Sequence, residues 1–397
     1  MRMIGAWLYG TKESRDFAVT THERLMANII PRLCAGNAHE PLCLGLCLTS
    51  LLNIIFGLYH GKDKGISRVV ILRNILVGVL REINFLKAET AWADEKSDYF
   101  LPMRLAKMGQ RQRLVANLFK VDTYLSLIRC QPNVVMPEEL YFTLPGTYSM
   151  WNARELRIWE ERHLFEPTFR NEKSMSDMIT DSTSESQNST TEYPMLIEDI
   201  QLCISAIQSS MWKLFHPAGT PKDCEIDVVL QKDTLRRRLD MLTSKLNRMT
   251  SQNLGSFEFG DEPHLPLRYY YGYEDHSVPG WKEIVSARVK SLHFDAIMLS
   301  LLFSLHLHAD VSMLTQLARD QRLTTTEEES ERHTRAREIR QMSVRAWANT
   351  STARQAICYA VDVLVQHQTI SREINHTTGL VSIISFQLGV EEYETCR

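Results

Sequence analysis

The chain has 397 residues, 44% hydrophobic and 23% charged, with 45 Lys plus Arg against 48 Asp plus Glu and a formal net charge of −3. That balance is ordinary for a globular protein and excludes a wholly disordered chain, a collagen-like repeat and a strongly basic tail protein. Its 17 glycines fall well short of average usage and can hardly supply the glycine-rich turns of nucleotide-binding sheet folds, so an all-α fold is expected.

The opening residues, MRMIGAWLYGTKESRDFAV, contain no apolar run of signal-peptide length, so the cysteines are expected to be reduced: Cys34, Cys43, Cys47, Cys130, Cys203, Cys224, Cys358 and Cys396. The Asn-x-Ser/Thr triplets at Asn188, Asn349 and Asn375 then carry no glycosylation meaning. Residues 42–60, LCLGLCLTSLLNIIFGLYH, are uncharged over about the length of a membrane span. Gly45, Thr49, Ser50, Asn53 and Gly57 interrupt the run, and no second comparable run follows. A helix buried on every side is therefore favoured over a membrane anchor. Cys43, Cys47 and His60 have the first three members of a zinc-finger spacing, but Lys64, Gly65 and Ile66 stand where a second histidine would be needed.

Farther along, Leu114, Leu118, Val121, Leu125 and Ile128 recur at helical spacing, with Arg111, Lys120 and Asp122 on the opposite face, and Gln131-Pro132 ends the helix. The connector PNVVMPEELYFTLPG is too rich in proline for regular structure and too apolar for a free loop, so it should pack on helices. Trp151 to Phe169 reads as another helix. Residues 171–192, dominated by Ser, Thr, Asp, Glu and Asn, read as a disordered linker between an N-terminal helical half, 1–170, and a C-terminal one, 193–397. In the second half, Tyr193 to Phe215 is a predicted helix, and Leu235, Leu239, Leu242, Leu246 and Met249 form the buried stripe of the next. An aromatic loop, 257–280, precedes helical patterns at 281–307 and 327–347. A stripe of Ala353, Ile357, Ala360 and Leu364 and a helix-like segment at 371–388 close the chain.

Chemical motifs are scarce. No phosphate loop, dinucleotide turn, Gly-x-Ser-x-Gly elbow or His-Glu-x-x-His occurs. His306 and His308, two positions apart on a helix, point in different directions. A magnesium-dependent terpenoid enzyme would need aspartates stacked on helix faces, and the best candidates, Asp261-Glu262 and Glu274-Asp275, lie in the aromatic loop. Glu138-Glu139 and Glu160-Glu161 read as surface. The basic cluster Arg236, Arg237, Arg238, with Lys232 and Lys245, is interrupted by Asp233 and Asp240 and reads as a solvated face rather than a nucleic-acid patch. No catalytic, cofactor-binding or metal-ligating residue is therefore assigned.

One run supports a family resemblance. Residues 111–153, RQRLVANLFKVDTYLSLIRCQPNVVMPEELYFTLPGTYSMWNA, carry Asp122-Thr123-Tyr124-Leu125-Ser126, then Gln131-Pro132, Glu139-Leu140, Leu144-Pro145 and Trp151-Asn152-Ala153. In this order and spacing the run resembles the central regulatory domain of fungal-specific transcription factors. Residues 345–364, RAWANTSTARQAICYAVDVL, are similar to the C-terminal helix of members with a classical zinc finger. The resemblance implies an all-α, nuclear, non-catalytic module that regulates transcription through transcriptional regulators or the RNA polymerase II machinery, with homodimerisation and an effector among its options. It implies zinc only in a DNA-binding module, and this chain has neither a six-cysteine cluster nor a complete Cys/His finger, so DNA is expected to be reached indirectly. It gives structural roles to three residues: Asp122 as a polar group facing a helix end, Trp151 as a packing anchor and Arg354 as an ion-pair partner. The alternatives are a helical protein anchored to a membrane by residues 42–60 and an all-α magnesium-dependent terpenoid enzyme.

Overall fold

The computed structural model describes residues 2–35, 44–60, 63–86, 101–153, 155–183, 195–216, 225–254, 265–322 and 331–373. Within them the fold is all-α; the only strand-like pairing is an isolated antiparallel bridge between Thr143 and Ser174. Leaving out single-turn segments, the helices are α1 (Arg2–Tyr9), α2 (Lys12–Cys34), α3 (Leu44–His60), α4 (Asp63–Glu82) and α5 (Leu101–Arg129). Then come α6 (Leu156–His163), α7 (Met175–Thr183), α8 (Ile197–Phe215) and α9 (Glu225–Leu254). The last four are α10 (Trp281–His308), α11 (Val311–Arg322), α12 (Glu331–Ala348) and α13 (Ser351–Glu373).

The apolar run 44–60 forms α3, with Cys47, Leu51, Ile54, Phe56 and Leu58 buried in protein. Its polar residues are satisfied inside: the Ser50 hydroxyl donates to the Leu46 carbonyl at 2.7 Å, the Asn53 amide donates to Thr49 at 2.9 Å, and Asn53 Oδ1 meets His22 Nδ1 at 3.1 Å. Gly57 lets α4 approach closely, since a Cβ there would overlap the Val69 side chain. No single helix among the described residues is long and apolar enough to cross a membrane; α10 and α11 reach that composition only as a pair bent by 80°.

The long helix α5 buries the predicted Leu114, Leu118, Val121 and Leu125, but also Val115, Ala116, Phe119, Tyr124 and Leu127. A helix apolar on all faces must be enclosed, and α3 and α8 pack on it. The chain then reverses at Cys130, held at φ 47°, and the irregular connector lays Val135, Leu140, Phe142 and Leu144 into the core as expected.

Two predicted elements differ. The helix expected from Trp151 to Phe169 is three pieces: a turn at Tyr148–Trp151 started by the Thr147 hydroxyl, α6, and a turn at Phe169–Glu172. Pro167 accounts for the second break, because the residue before a proline is pushed out of the helical region. The expected linker at 171–192 begins as structure: α7 buries Met175, Met178 and Ile179 against α8. Three well-spaced apolar residues outweigh the polar composition around them, whereas residues 184–192 lie outside the described residues.

One continuous core, running from Met26 to Val363, joins the two halves, with α8 and α10 at its centre. On the outer layer α13 packs on α10. Its buried face matches the predicted stripe only at Ala353, which is inside together with Ala356 and Val363, whereas Ile357 is 61% and Leu364 42% exposed. Small alanines allow close packing on α10, which turns the larger apolar side chains outward. The end of the predicted 371–388 segment lies beyond the described residues.

Candidate functional site

The residues considered for metal chemistry are not brought together. Cys43, Asp261 and Glu262 lie outside the described residues, Cys47 is buried, and among the described residues no group of three or more His, Cys, Asp or Glu gathers. The His306 imidazole is partly buried and held down to about 4 by that burial, while the His308 ring stacks on Tyr359 with centroids 5.5 Å apart. Glu274 accepts from Arg288 at 2.5 Å and from the Gly272 amide at 3.1 Å, and Asp275 accepts from the Ser277 amide at 2.9 Å. These carboxylates hold their own loop. On α9, Asp233 pairs with Arg236 at 2.9 Å and Arg237 at 3.2 Å on an exposed face, as expected for solvated charge.

The three residues singled out by resemblance have different environments. Asp122 is fully buried and pairs with Arg73 of α4; its Oδ2 accepts from the amides of Val134 and Val135 at 2.7 and 2.8 Å. It therefore binds the connector backbone rather than a helix end. Trp151 remains 44% exposed, with the Arg113 guanidinium stacked 4.9 Å from its ring centroid. It covers a surface rather than anchoring a core. Arg354 is exposed and has no ion pair among the described residues.

Arginines fasten the connector at further points. Arg113 donates to the carbonyls of Gly146 at 2.7 Å and Thr147 at 3.2 Å. Arg81 donates to Glu139 at 2.8 and 2.7 Å and to the Val134 carbonyl at 2.6 Å. Arg170, itself buried, donates to Asp199 at 2.7 and 3.0 Å and to the Pro145 carbonyl at 2.8 Å. Asp199 also accepts from the Leu196 amide at 2.8 Å, which caps α8. The planar guanidinium suits this work, since it offers several donors in a fixed fork to backbone carbonyls that have no ladder partner.

The main unexpected feature lies deeper. Lys120 of α5, Glu198 of α8 and Asp295 of α10, each partly buried, share one electrostatic field, in which Lys120 acts on both carboxylates. Burial lowers the Lys120 ammonium from its ordinary value and raises Glu198; it brings Asp295 up to about 7, with Lys120 opposing that rise. Tyr59 of α3, raised to about 12 by burial and by Asp295, belongs to the same field. Glu198 Oε2 and Asp295 Oδ1 are closed off from solvent and have no hydrogen-bond partner. Next to them the α5–α8 seam is fully paired: Gln201 donates to the Tyr124 hydroxyl at 2.9 Å, and the Thr123 hydroxyl donates to the Ser205 carbonyl at 3.3 Å.

Such a cluster can hold a proton near neutral pH and offers two dry acceptor oxygens. No hydrogen bond links Lys120, Glu198 and Asp295 to one another, so the pairing of nucleophile with base is not formed. Of the two residues expected on an outer face, Asp122 is fully buried, whereas Lys120 is only partly so. Ala116, Phe119 and Tyr124 around Lys120 are buried, but Asn117 on the same side of α5 is exposed, so Lys120 lies at the edge of an outer strip. The partial burial of Glu198 and Asp295 carried no sequence signal, because it depends on which helices pack together.

Comparisons with known protein families, with curated proteins and with solved structures found no match.

Proposed function

We infer that this chain is a transcription-regulatory domain of the fungal type, acting in the nucleus through contacts with transcriptional regulators or the RNA polymerase II machinery and reaching DNA only through them. One observation carries the reading. The run 111–153, on which the resemblance rests, is a single physical unit: its helix α5 reaches its own connector through Asp122 to Val134 and Val135, and through Arg113 to Gly146 and Thr147. A motif whose spaced residues hold each other is what a shared domain requires, and the roles it assigns are architectural rather than chemical. The all-α architecture and the use of Glu274 and Asp275 within their own loop fit the same reading better than a magnesium-dependent enzyme.

The test joins the full chain to an unrelated DNA-binding module and measures a reporter carrying that module's sites. A several-fold rise or fall in transcription, together with nuclear accumulation of the chain, is expected. An unchanged reporter at equal protein level overturns the proposal.

A further inference from the structure

We propose that the outer face of α13 docks against the same face of a second copy of this chain, in antiparallel two-fold contact. That face is apolar and open: Ile357, Val361, Leu364 and Val365 are 61%, 50%, 42% and 52% exposed. The other side of α13 is already occupied, with Ala353, Ala356 and Val363 against α10. Four neighbouring aliphatic side chains in water favour removal of their surface by a protein partner.

The charges on the face select the partner. Arg354 and Asp362 are both exposed, and neither forms an ion pair among the described residues. They stand four residues before and four residues after Cys358, itself exposed, and so lie about 40° to either side of it around the helix. A two-fold contact presents a patch to its own image, so the patch must complement itself. With the axis through Cys358 and the helices antiparallel, Arg354 of each copy meets Asp362 of the other, and two ion pairs form. A parallel copy would instead set arginine on arginine and aspartate on aspartate, which is repulsive. Between the ion pairs Val361 packs beside Cys358 of the facing helix, as a knob among the residues opposite. A contact along about 20 Å of one helix is smaller than a permanent dimer needs, so the association is reversible, with Kd on the order of 10 µM. This inference goes beyond the regulatory reading and does not depend on it.

Charge reversal tests the pairing. Sedimentation equilibrium of the full-length chain in low salt should show mostly dimer at about 100 µM and mostly monomer at about 1 µM. Arg354→Asp and Asp362→Arg each turn both ion pairs into like-charge pairs, and each alone should weaken the dimer about ten-fold. The double variant restores opposite charges and should return to within about three-fold of the wild-type Kd. Both residues are exposed, so all three variants should keep the helical circular dichroism. A short bis-maleimide should join Cys358 to Cys358 of the second copy, identified by peptide mass spectrometry, in the wild-type chain and the double variant and several-fold less in either single one. A chain that stays monomeric at the higher concentration, a dimer indifferent to both single reversals, a double reversal that fails to restore it, or a dimer without the Cys358 link overturns the proposal.

Discussion

Two kinds of buried charge share this helical bundle. Asp122 and Asp199 are each closed by an arginine and by backbone amides, so every oxygen has a donor. Glu198, one residue before Asp199, and Asp295 are partly buried, each with one enclosed oxygen that has no donor. Asp122 and Asp199 face an arginine and free amides of irregular backbone or a helix start, whereas Asp295 lies in the middle of α10, where the helix amides are already spent, and Glu198, beside Asp199 in the first turn of α8, keeps one oxygen without a donor. Buried charge is tolerable when backbone helps to neutralise it, and elsewhere it works against folding.

The largest expected effect breaks the first kind. Asp122→Ala leaves Arg73 buried without a counter-charge and two amides unpaired, and should cost about 5 kcal/mol in urea unfolding. A loss under ~1 kcal/mol would mean that the connector is held by its apolar residues alone. Arg170→Met should cost about 3 kcal/mol, less than the first because the Leu196 amide still donates to Asp199.

Asp295→Asn tests the second kind, and its sign is opposite. The Asp295 carboxyl keeps its proton in the fold up to about 7 and ionises at its ordinary value when unfolded. Its contribution is therefore fully present in acid and is lost as pH rises, at up to ~1.4 kcal/mol per unit between about pH 4 and 7. The asparagine variant should gain on the wild-type chain over that window and stay ahead above it, measured by unfolding at pH 4.5, 6 and 7.5. A constant difference across the three would show that Asp295 does not titrate there. The smallest effect belongs to Arg81→Ala: its pair with Glu139 is partly exposed, and solvent screening should limit the loss to about 0.5–1 kcal/mol.

Much of the helical pattern was legible in the residues. The stripes at 114–125 and 235–246 and the apolar connector report local periodicity and proline placement, which act within a few residues. The misread elements share a cause. The 171–192 segment was judged by average polarity, yet Met175, Met178 and Ile179 find a partner in α8. Ile357 and Leu364 look like a core stripe until α10 selects the alanines beside them. Asp122 was expected outside with Lys120, but Arg73 and the connector amides draw it fully inside while Lys120 stays partly exposed.

By itself the sequence determined that this chain forms helices and where several of them run. Hydrogen bonds and apolar spacing within one segment are enough for that. Only the tertiary structure decided which charged residues lie inside and which of them are satisfied, because burial and the supply of donors come from segments far apart along the chain.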